Sequence, residues 1–120
     1  MITQVVEMEK IVEQGLLYDF YGELLTDHQR HIYEDVVFND MSLSEIAEEQ
    51  GISRQGVHDL IKRCDRILAG YEEKLRMVEK FNQTKRMVEE IKTLAGTYKK
   101  NGDMSLIDRI EAISEEIGQL

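Results

Sequence analysis

The segment 42–63 constrains the fold of this chain most, because its turn and capping residues fall at the spacing of two short helices. Ser42 and Glu45 stand three residues apart, as in a capping box that begins a helix by satisfying free backbone N–H groups. Gly51 then provides the turn, since glycine adopts a positive φ at little steric cost, and Ser53 can cap a second helix. The inward positions of the two helices are apolar: Ile46, Ala47, Val57, Leu60 and Ile61. The pattern predicts a helix-turn-helix over 42–64.

The outer face of the second helix carries the candidate functional residues. Its side chains can donate hydrogen bonds or positive charge, and they are Arg54, Gln55, His58, Lys62 and Arg63. Such groups suit phosphate oxygens and base edges, and a helix-turn-helix commonly presents its second helix to nucleic acid. We therefore predict that these five residues bind nucleic acid. The alternative interpretation is a helical packing module, because a fold does not fix a function.

The charge distribution supports a polarised molecule. The net charge of −9 is unusual for a nucleic-acid-binding protein. Residues 1–52 carry Lys10 and Arg30 against twelve acidic residues, a net of −10, and residues 101–120 have a net of −4. Residues 53–100 carry twelve basic and seven acidic residues, a net of +5. The positive charge thus begins at the candidate recognition helix, which would orient the protein on a phosphate backbone.

The rest of the chain predicts an all-α fold, because proline is absent and apolar residues recur at helical spacing. A first helix over 3–25 would present one apolar stripe, formed by Val5, Met8, Val12, Leu16, Phe20 and Leu24. Thr26 and Gln29 form the capping box of a second helix. The inward residues of that helix are Ile32, Tyr33, Val36 and Val37.

Beyond Arg66 the pattern continues as a long helix, whose apolar series shifts register before a stripe that runs from Met77 through Phe81, Thr84, Val88, Ile91 and Ala95 to Tyr98. A turn at 99–102 leads to a last helix with a regular apolar seam: Leu106, Ile110, Ile113, Ile117 and Leu120. Such a seam requires a partner, either the neighbouring helix or a second copy of the chain. We predict a helical domain over 1–70 and a C-terminal extension over 71–120 that forms a hairpin and supports a homodimer.

Other chemistry finds little support in the sequence. His28, His31 and Asp35 could share one helix face, but no cysteine or further histidine nearby completes a metal site, so we predict no metal and no cofactor. There is no glycine-rich phosphate loop and no nucleophile with a plausible base, and we expect no enzymatic activity. Cys64 falls on the apolar side of its helix and suits a small core residue. No membrane span or signal peptide is recognised, and we expect a cytoplasmic protein.

Two blocks of the sequence resemble known families. The segment 42–63, with Thr-Asp-His-Gln-Arg at 26–30 ahead of it, is similar to the promoter-reading fourth region of bacterial sigma factors. Because 120 residues do not hold the other sigma regions, we do not expect a working sigma factor. The segments 17–26, 42–47 and 53–63 together resemble the YlxM-like family of small helix-turn-helix proteins of Gram-positive bacteria, over roughly residues 5–82. Gly56 departs from that family, which often has alanine there.

The resemblance implies an accessory or regulatory role beside the signal recognition particle, the RNA–protein machine that targets nascent membrane proteins. We expect binding to the particle RNA, to its GTPase protein, or to both. The first alternative is a sequence-specific DNA-binding regulator, with residues 53–66 in the major groove and a two-fold dimer. The second is a protein–protein adaptor, which the overall acidity favours.

Overall fold

The computed structural model of the protein describes the backbone of residues 2–120 and the side chains of residues 9–120. Over these residues the chain forms six α-helices and one 3-10 turn: α1 Ile2–Tyr21, the 3-10 turn Gly22–Leu24, α2 Asp27–Val37, α3 Leu43–Gln50, α4 Arg54–Leu75, α5 Met77–Asn101 and α6 Met104–Gly118. The predicted all-α fold is confirmed. None of the described helices is both long enough and apolar enough to cross a membrane.

The helices divide into two compact units, Met1–Arg76 and Met77–Leu120. The sequence-based division after residue 70 falls inside α4, which continues to Leu75. The long helix predicted beyond Arg66 is wrong as a continuous element, because Arg76 adopts a left-handed conformation with φ of 54°. The Arg76 backbone N–H donates to the Glu72 carbonyl and closes α4 at this point. Neither glycine nor proline marks the break, so only the shift of the apolar register pointed to it.

Helix α4 is the centre of the N-terminal unit, where it packs against α1, α2 and α3. The core of this unit consists of the buried apolar residues Leu17, Tyr21, Leu25, Ile32, Tyr33, Ile46, Ala47, Val57, Ile61, Cys64 and Leu68. Cys64 is buried and unpaired with another cysteine, as the sequence predicted. Burial removes each large apolar side chain from water and stabilises the fold by roughly 1.5–3 kcal/mol.

The predicted first helix over 3–25 ends at Tyr21 and is followed by the 3-10 turn, and the buried apolar series of this segment is shifted by one residue from the predicted stripe. Val12 and Leu24 are 62% and 55% exposed, whereas the buried positions are Leu17, Tyr21 and Leu25. This segment contains two apolar series that are offset by one residue, and contacts with α4 determine which of the two is buried. Tyr21 stacks on Tyr71 with ring centroids 6.0 Å apart, and its hydroxyl donates to Glu72 Oε1 at 2.6 Å. Val5 and Met8 lie outside the described side chains.

The start of α2 is built as predicted. Thr26 Oγ1 accepts from the Gln29 backbone N–H at 3.2 Å, and the Gln29 side chain accepts from the Thr26 backbone N–H at 3.0 Å. Ile32 and Tyr33 are fully buried, as expected, and Val36 and Val37 are half-buried. The capping box thus fixes the register in which α2 faces α4.

A half-buried carboxylate joins three helices of this unit. Asp65 Oδ1 on α4 accepts from Gln14 Nε2 on α1 at 2.9 Å and from the Tyr33 hydroxyl on α2 at 2.7 Å. Burial, together with the hydrogen bond to this carboxylate, raises the pKa of Tyr33 far above its usual range. Tyr33 is therefore a neutral donor at any ordinary pH, and the three helices are held in one arrangement.

The C-terminal unit is a pair of helices. Gly102, with φ of 67°, turns the chain after α5, and Asp103 caps α6 by accepting from the Ser105 backbone N–H at 3.0 Å. Hydrogen bonds from Ser105 lower the pKa of Asp103. Arg109 of α6 lies 3.4 Å from Glu90 of α5. Because only two residues separate these helices and they pack against each other, they run in opposite directions. In α6 Ile113 is fully buried, but Val88, predicted to belong to the inward stripe of α5, is 51% exposed.

Candidate nucleic-acid interface

The helix-turn-helix is formed by α3, the turn at Gly51 and the first part of α4. Ser42 Oγ accepts from the Glu45 backbone N–H at 3.1 Å, and Ser53 Oγ accepts from the Gly56 backbone N–H at 2.9 Å. Gly51 has φ of 67°, as the predicted turn requires. The capping box at Ser42 is one-sided, because the Glu45 carboxylate accepts from the Ser42 hydroxyl at 3.2 Å. The predicted cap and turn residues therefore define this motif.

The cap of α4 explains why glycine suits position 56. A Cβ atom at this position would lie 3.2 Å from Ser53 Oγ, which is the atom that caps α4. Glycine leaves room for that hydrogen bond, at the usual cost of about 1 kcal/mol for glycine within a helix. The residue that departs from the family pattern thus relieves crowding at the start of α4.

The two motif helices press together through small and branched side chains. Ile46 and Val57 are fully buried, and Ala47 is 8% exposed. Ile61 is also buried, whereas Leu60, predicted to face inward, is half-buried. This packing turns the opposite side of α4 toward solvent.

All five predicted site residues, Arg54, Gln55, His58, Lys62 and Arg63, are exposed along the first turns of α4. Two open surface grooves divide them. One groove is lined by Leu43, Arg54, Gln55 and His58, and the other by His58, Asp59, Lys62, Arg63, Asp65 and Arg66. His58 borders both grooves, so the five residues form one continuous surface. We call this surface, with Arg66, the α4 face.

The cations of the α4 face are not neutralised by neighbours. Among the described residues, no ion pair involves Arg54, Lys62, Arg63 or Arg66. The polar residues differ, because Asp59 Oδ1 accepts from Gln55 Nε2 at 2.8 Å and lies 3.8 Å from His58 Nδ1. The cations could bind phosphates directly. Gln55 could contact a base only after breaking its hydrogen bond to Asp59.

Sequence reasoning missed two residues of this surface. Arg66 follows Lys62 by one helical turn and adds a cation, and Asp59 follows Gln55 by the same spacing and adds a negative charge. Both could have been found by extending the helical spacing from the five predicted residues. Arg66 extends the series of cations along α4, and Asp59 places a negative charge between Gln55 and Lys62.

A second group of polar side chains lies where α2 meets α3. Of the residues that the sequence grouped as possible metal ligands, the structure keeps His31 and Asp35 together and leaves His28 out. Glu49 of α3 completes the group instead, and one donor atom from each of the three residues lies within 4.8 Å of the others. Sequence spacing could not show this, because Glu49 comes from a different helix.

Comparison with known proteins gives the family. A family model described as "Putative helix-turn-helix protein, YlxM / p13 like" matches residues 8–109. The chain belongs to the YlxM / p13-like family. The protein YlxM of Bacillus subtilis is 40% identical over 107 residues, covering 88% of this chain and 97% of the relative. A relative from Acetivibrio thermocellus is 44% identical over 114 residues, covering 92% and 97% of the two chains.

The extent of the YlxM / p13-like match corrects one expectation. The resemblance in the sequence was confined to roughly residues 5–82, but the family match continues to residue 109 and includes all of α5. A relative from Shouchella clausii is 40% identical over 107 residues, and the match covers 98% of that relative. The YlxM / p13-like match therefore includes α5 and the first residues of α6.

Proposed function

We propose that this protein is a non-enzymatic, cytoplasmic accessory component of the signal recognition particle pathway. It binds the particle RNA, its GTPase protein, or both through the helix-turn-helix and the basic part of α5, and regulates the pathway in that way. The pathway is what the family resemblance implies. The observation that supports RNA as the ligand is the α4 face, where four cations lack acidic partners among the described residues.

The chemistry of this face suits a structured RNA. Its cations spread along one side of a helix and can contact successive phosphates, while Asp59 disfavours a deep approach to base edges. Folded RNA is commonly recognised through its backbone and shape, without a helix in the narrow A-form major groove. The acidic residues before position 53 repel phosphates and would leave the α4 face as the side that approaches RNA.

The affinity of the protein for RNA as a function of salt concentration tests this proposal. In the variant Arg54→Ala/Lys62→Ala/Arg63→Ala, each lost phosphate contact should flatten the plot of log affinity against log salt by about one unit of slope. The control is Lys10→Ala/Arg109→Ala, which removes charge outside the α4 face; Arg109 is already paired with Glu90 and Glu116. Equal slopes for the wild type and the triple variant would contradict the assignment of the site.

A sequence-specific DNA-binding regulator is the second candidate, and the α3–α4 motif itself favours it. Recovery of bound partners from a Gram-positive lysate, with and without ribonuclease, separates the candidates. Ribonuclease-sensitive recovery of particle components supports the first proposal. Discrete chromosomal sites after crosslinking would support the regulator, and ribonuclease-resistant recovery of particle proteins would support an adaptor.

A further inference from the structure

His31, Asp35 and Glu49 form a group of polar side chains that is separate from the α4 face. His31 and Asp35 lie one turn apart on α2, with His31 Nε2 at 3.6 Å from Asp35 Oδ2, and Glu49 lies near the end of α3. One donor atom from each residue lies within 4.8 Å of the other two. We propose that these three side chains bind a divalent transition-metal ion of the zinc class.

The carboxylates of this group are only partly satisfied by neighbouring groups. Asp35 is only 7% exposed, and its Oδ1 accepts from Asn39 Nδ2 at 2.9 Å. Its Oδ2 faces His31 at a distance longer than a hydrogen bond. Glu49 has no hydrogen bond or ion pair within the described part of the chain. A buried carboxylate beside a second one is costly unless a cation or donors compensate it, and a metal ion would serve both.

The distances suit an ion better than direct contact between the side chains. Nitrogen and carboxylate ligands lie about 2.0–2.2 Å from zinc, so two ligands on opposite sides of one ion are at most roughly 4 Å apart. His31 Nε2 and Asp35 Oδ2, 3.6 Å apart, are already within this limit. The donor atom of Glu49 lies within 4.8 Å of both, and the exposed side chains of His31 and Glu49 can rotate toward a common ion. Asp35 supplies the fixed ligand.

The donor types select the class of metal. An imidazole nitrogen with two carboxylates favours Zn²⁺, Co²⁺ or Mn²⁺, whereas Ca²⁺ and Mg²⁺ prefer sites made of oxygen ligands alone. The hydrogen bond from Asn39 fixes Asp35 Oδ1, which leaves Oδ2 toward the site, as outer partners of metal ligands commonly do. A metal bound here would join α2 to α3 and brace the first helix of the helix-turn-helix.

Titration of the full-length protein with Zn²⁺ by calorimetry tests the proposal, with bound Co²⁺ followed by its visible absorption. We expect one ion per chain and at least a tenfold loss of affinity in both Glu49→Gln and His31→Asn. The matched controls are Glu48→Gln, on the exposed surface of α3, and His28→Asn, the histidine that the structure leaves out. Both controls should bind like the wild type, and thermal melting in the absence of metal verifies that all four variants are folded.

Three results would overturn the proposal: a wild-type protein that binds no Zn²⁺, a Glu49→Gln or His31→Asn variant that binds as the wild type does, or controls that lose as much affinity as these variants. Loss in His28→Asn with retention in Glu49→Gln would restore the grouping that sequence spacing alone suggests. The test is independent of RNA binding, because none of the four substituted residues belongs to the α4 face.

Discussion

At the scale of single residues, Asp65 connects the core of the N-terminal unit to the candidate interface. Its carboxylate accepts from Gln14 and Tyr33 inside the unit, and the same residue borders the groove that contains Lys62 and Arg66. A change at Asp65 would therefore disturb both packing and binding. Tests of function should use Arg54, Lys62 and Arg63, whose side chains are exposed.

The buried thiol of Cys64 predicts a loss of stability in alkali. Burial raises the pKa of Cys64 from 9.0 to about 11, so above pH 9 the unfolded chain loses this proton while the folded chain keeps it. The free energy of unfolding should fall by on the order of 2 kcal/mol between pH 9 and 11. Tyr33, whose pKa is also raised, adds to the loss above pH 10.

Urea unfolding at a series of pH values measures this effect. The variant Cys64→Ala should be less stable overall, but its decline should begin near pH 10, where tyrosine ionises, and no longer near pH 9. If the wild type and Cys64→Ala lost stability in parallel from pH 9 upward, Cys64 would not be the titrating group.

Ala47 sets the distance between the two motif helices. It is 8% exposed and lies against the helix that contains the fully buried Val57, so Ala47→Leu should overpack this contact and cost roughly 1–3 kcal/mol. The control is Ala69→Leu on the exposed surface of α4, which should change stability by less than about 0.5 kcal/mol. The denaturant midpoints of the two variants measure this difference in stability. Similar midpoints for Ala47→Leu and Ala69→Leu would contradict the packing of Ala47 against α4.

At the scale of the elements, helix ends rather than helix interiors determine the architecture. Hydroxyl caps at Thr26, Ser42 and Ser53 begin three helices, and left-handed residues end α3 at Gly51 and α4 at Arg76. A cap satisfies backbone N–H groups that would otherwise lack partners, and a left-handed residue stops the helix from continuing. The chain therefore turns where these residues occur.

Two glycines of this unit should respond in opposite ways to the same substitution. Gly51→Ala forces a Cβ atom into the left-handed conformation and should destabilise the protein by roughly 1–2 kcal/mol, although open space surrounds the position. Gly70→Ala lies within α4, also in open space, and should stabilise it by about 0.5–1 kcal/mol. Thermal unfolding of both variants gives the sign of each change, and a destabilised Gly70→Ala would contradict the open surroundings of this position.

Helix ends marked by a capping hydroxyl or a turn glycine were predictable from sequence, whereas the end of α4 at Arg76 and the buried face of α1 were not. Ser42, Gly51 and Ser53 act locally, and their roles follow from neighbours within a few residues. The buried face of α1 depends on Tyr71 and Glu72, about fifty residues away, and two adjacent apolar series fit the period equally well. The five candidate interface residues could be grouped from the sequence because they share one helix, whereas Glu49 was missed as a neighbour of His31 because it lies on a different helix.

At the scale of the whole molecule, charge and apolar surface point to different partners. In the proposed function, the charge of −10 before position 53 and +5 over 53–100 would confine phosphate binding to the second half of the motif and the helix after it. The C-terminal unit, in contrast, leaves Val88 and Leu120 51% and 42% exposed on a thin pair of helices. Pairs of helices bury little surface and commonly gain stability by association.

We therefore predict that the full-length protein is a homodimer held by the C-terminal unit. Sedimentation equilibrium at tens of micromolar protein should give a dimer for the wild type. The variant Val88→Glu/Leu120→Glu should be monomeric, because carboxylates of the two chains would repel each other where apolar side chains had packed. The variant Thr97→Glu, on the exposed surface of α5, should remain dimeric. A monomeric wild type, or a dimer that persists in the double variant, would show that these residues do not hold two chains together.

The position of α4 also governs when the protein can fold during its own synthesis. Helices α1, α2 and α3 each bury their apolar sides against α4, so a nascent chain that ends before Leu68 lacks the surface on which they assemble. Domains fold as units as they emerge from the ribosome, and this one must wait for almost the whole of its N-terminal unit. We therefore expect residues 1–52, whose net charge is −10, to stay unfolded until α4 has been synthesised, because repulsion among their acidic side chains opposes premature collapse.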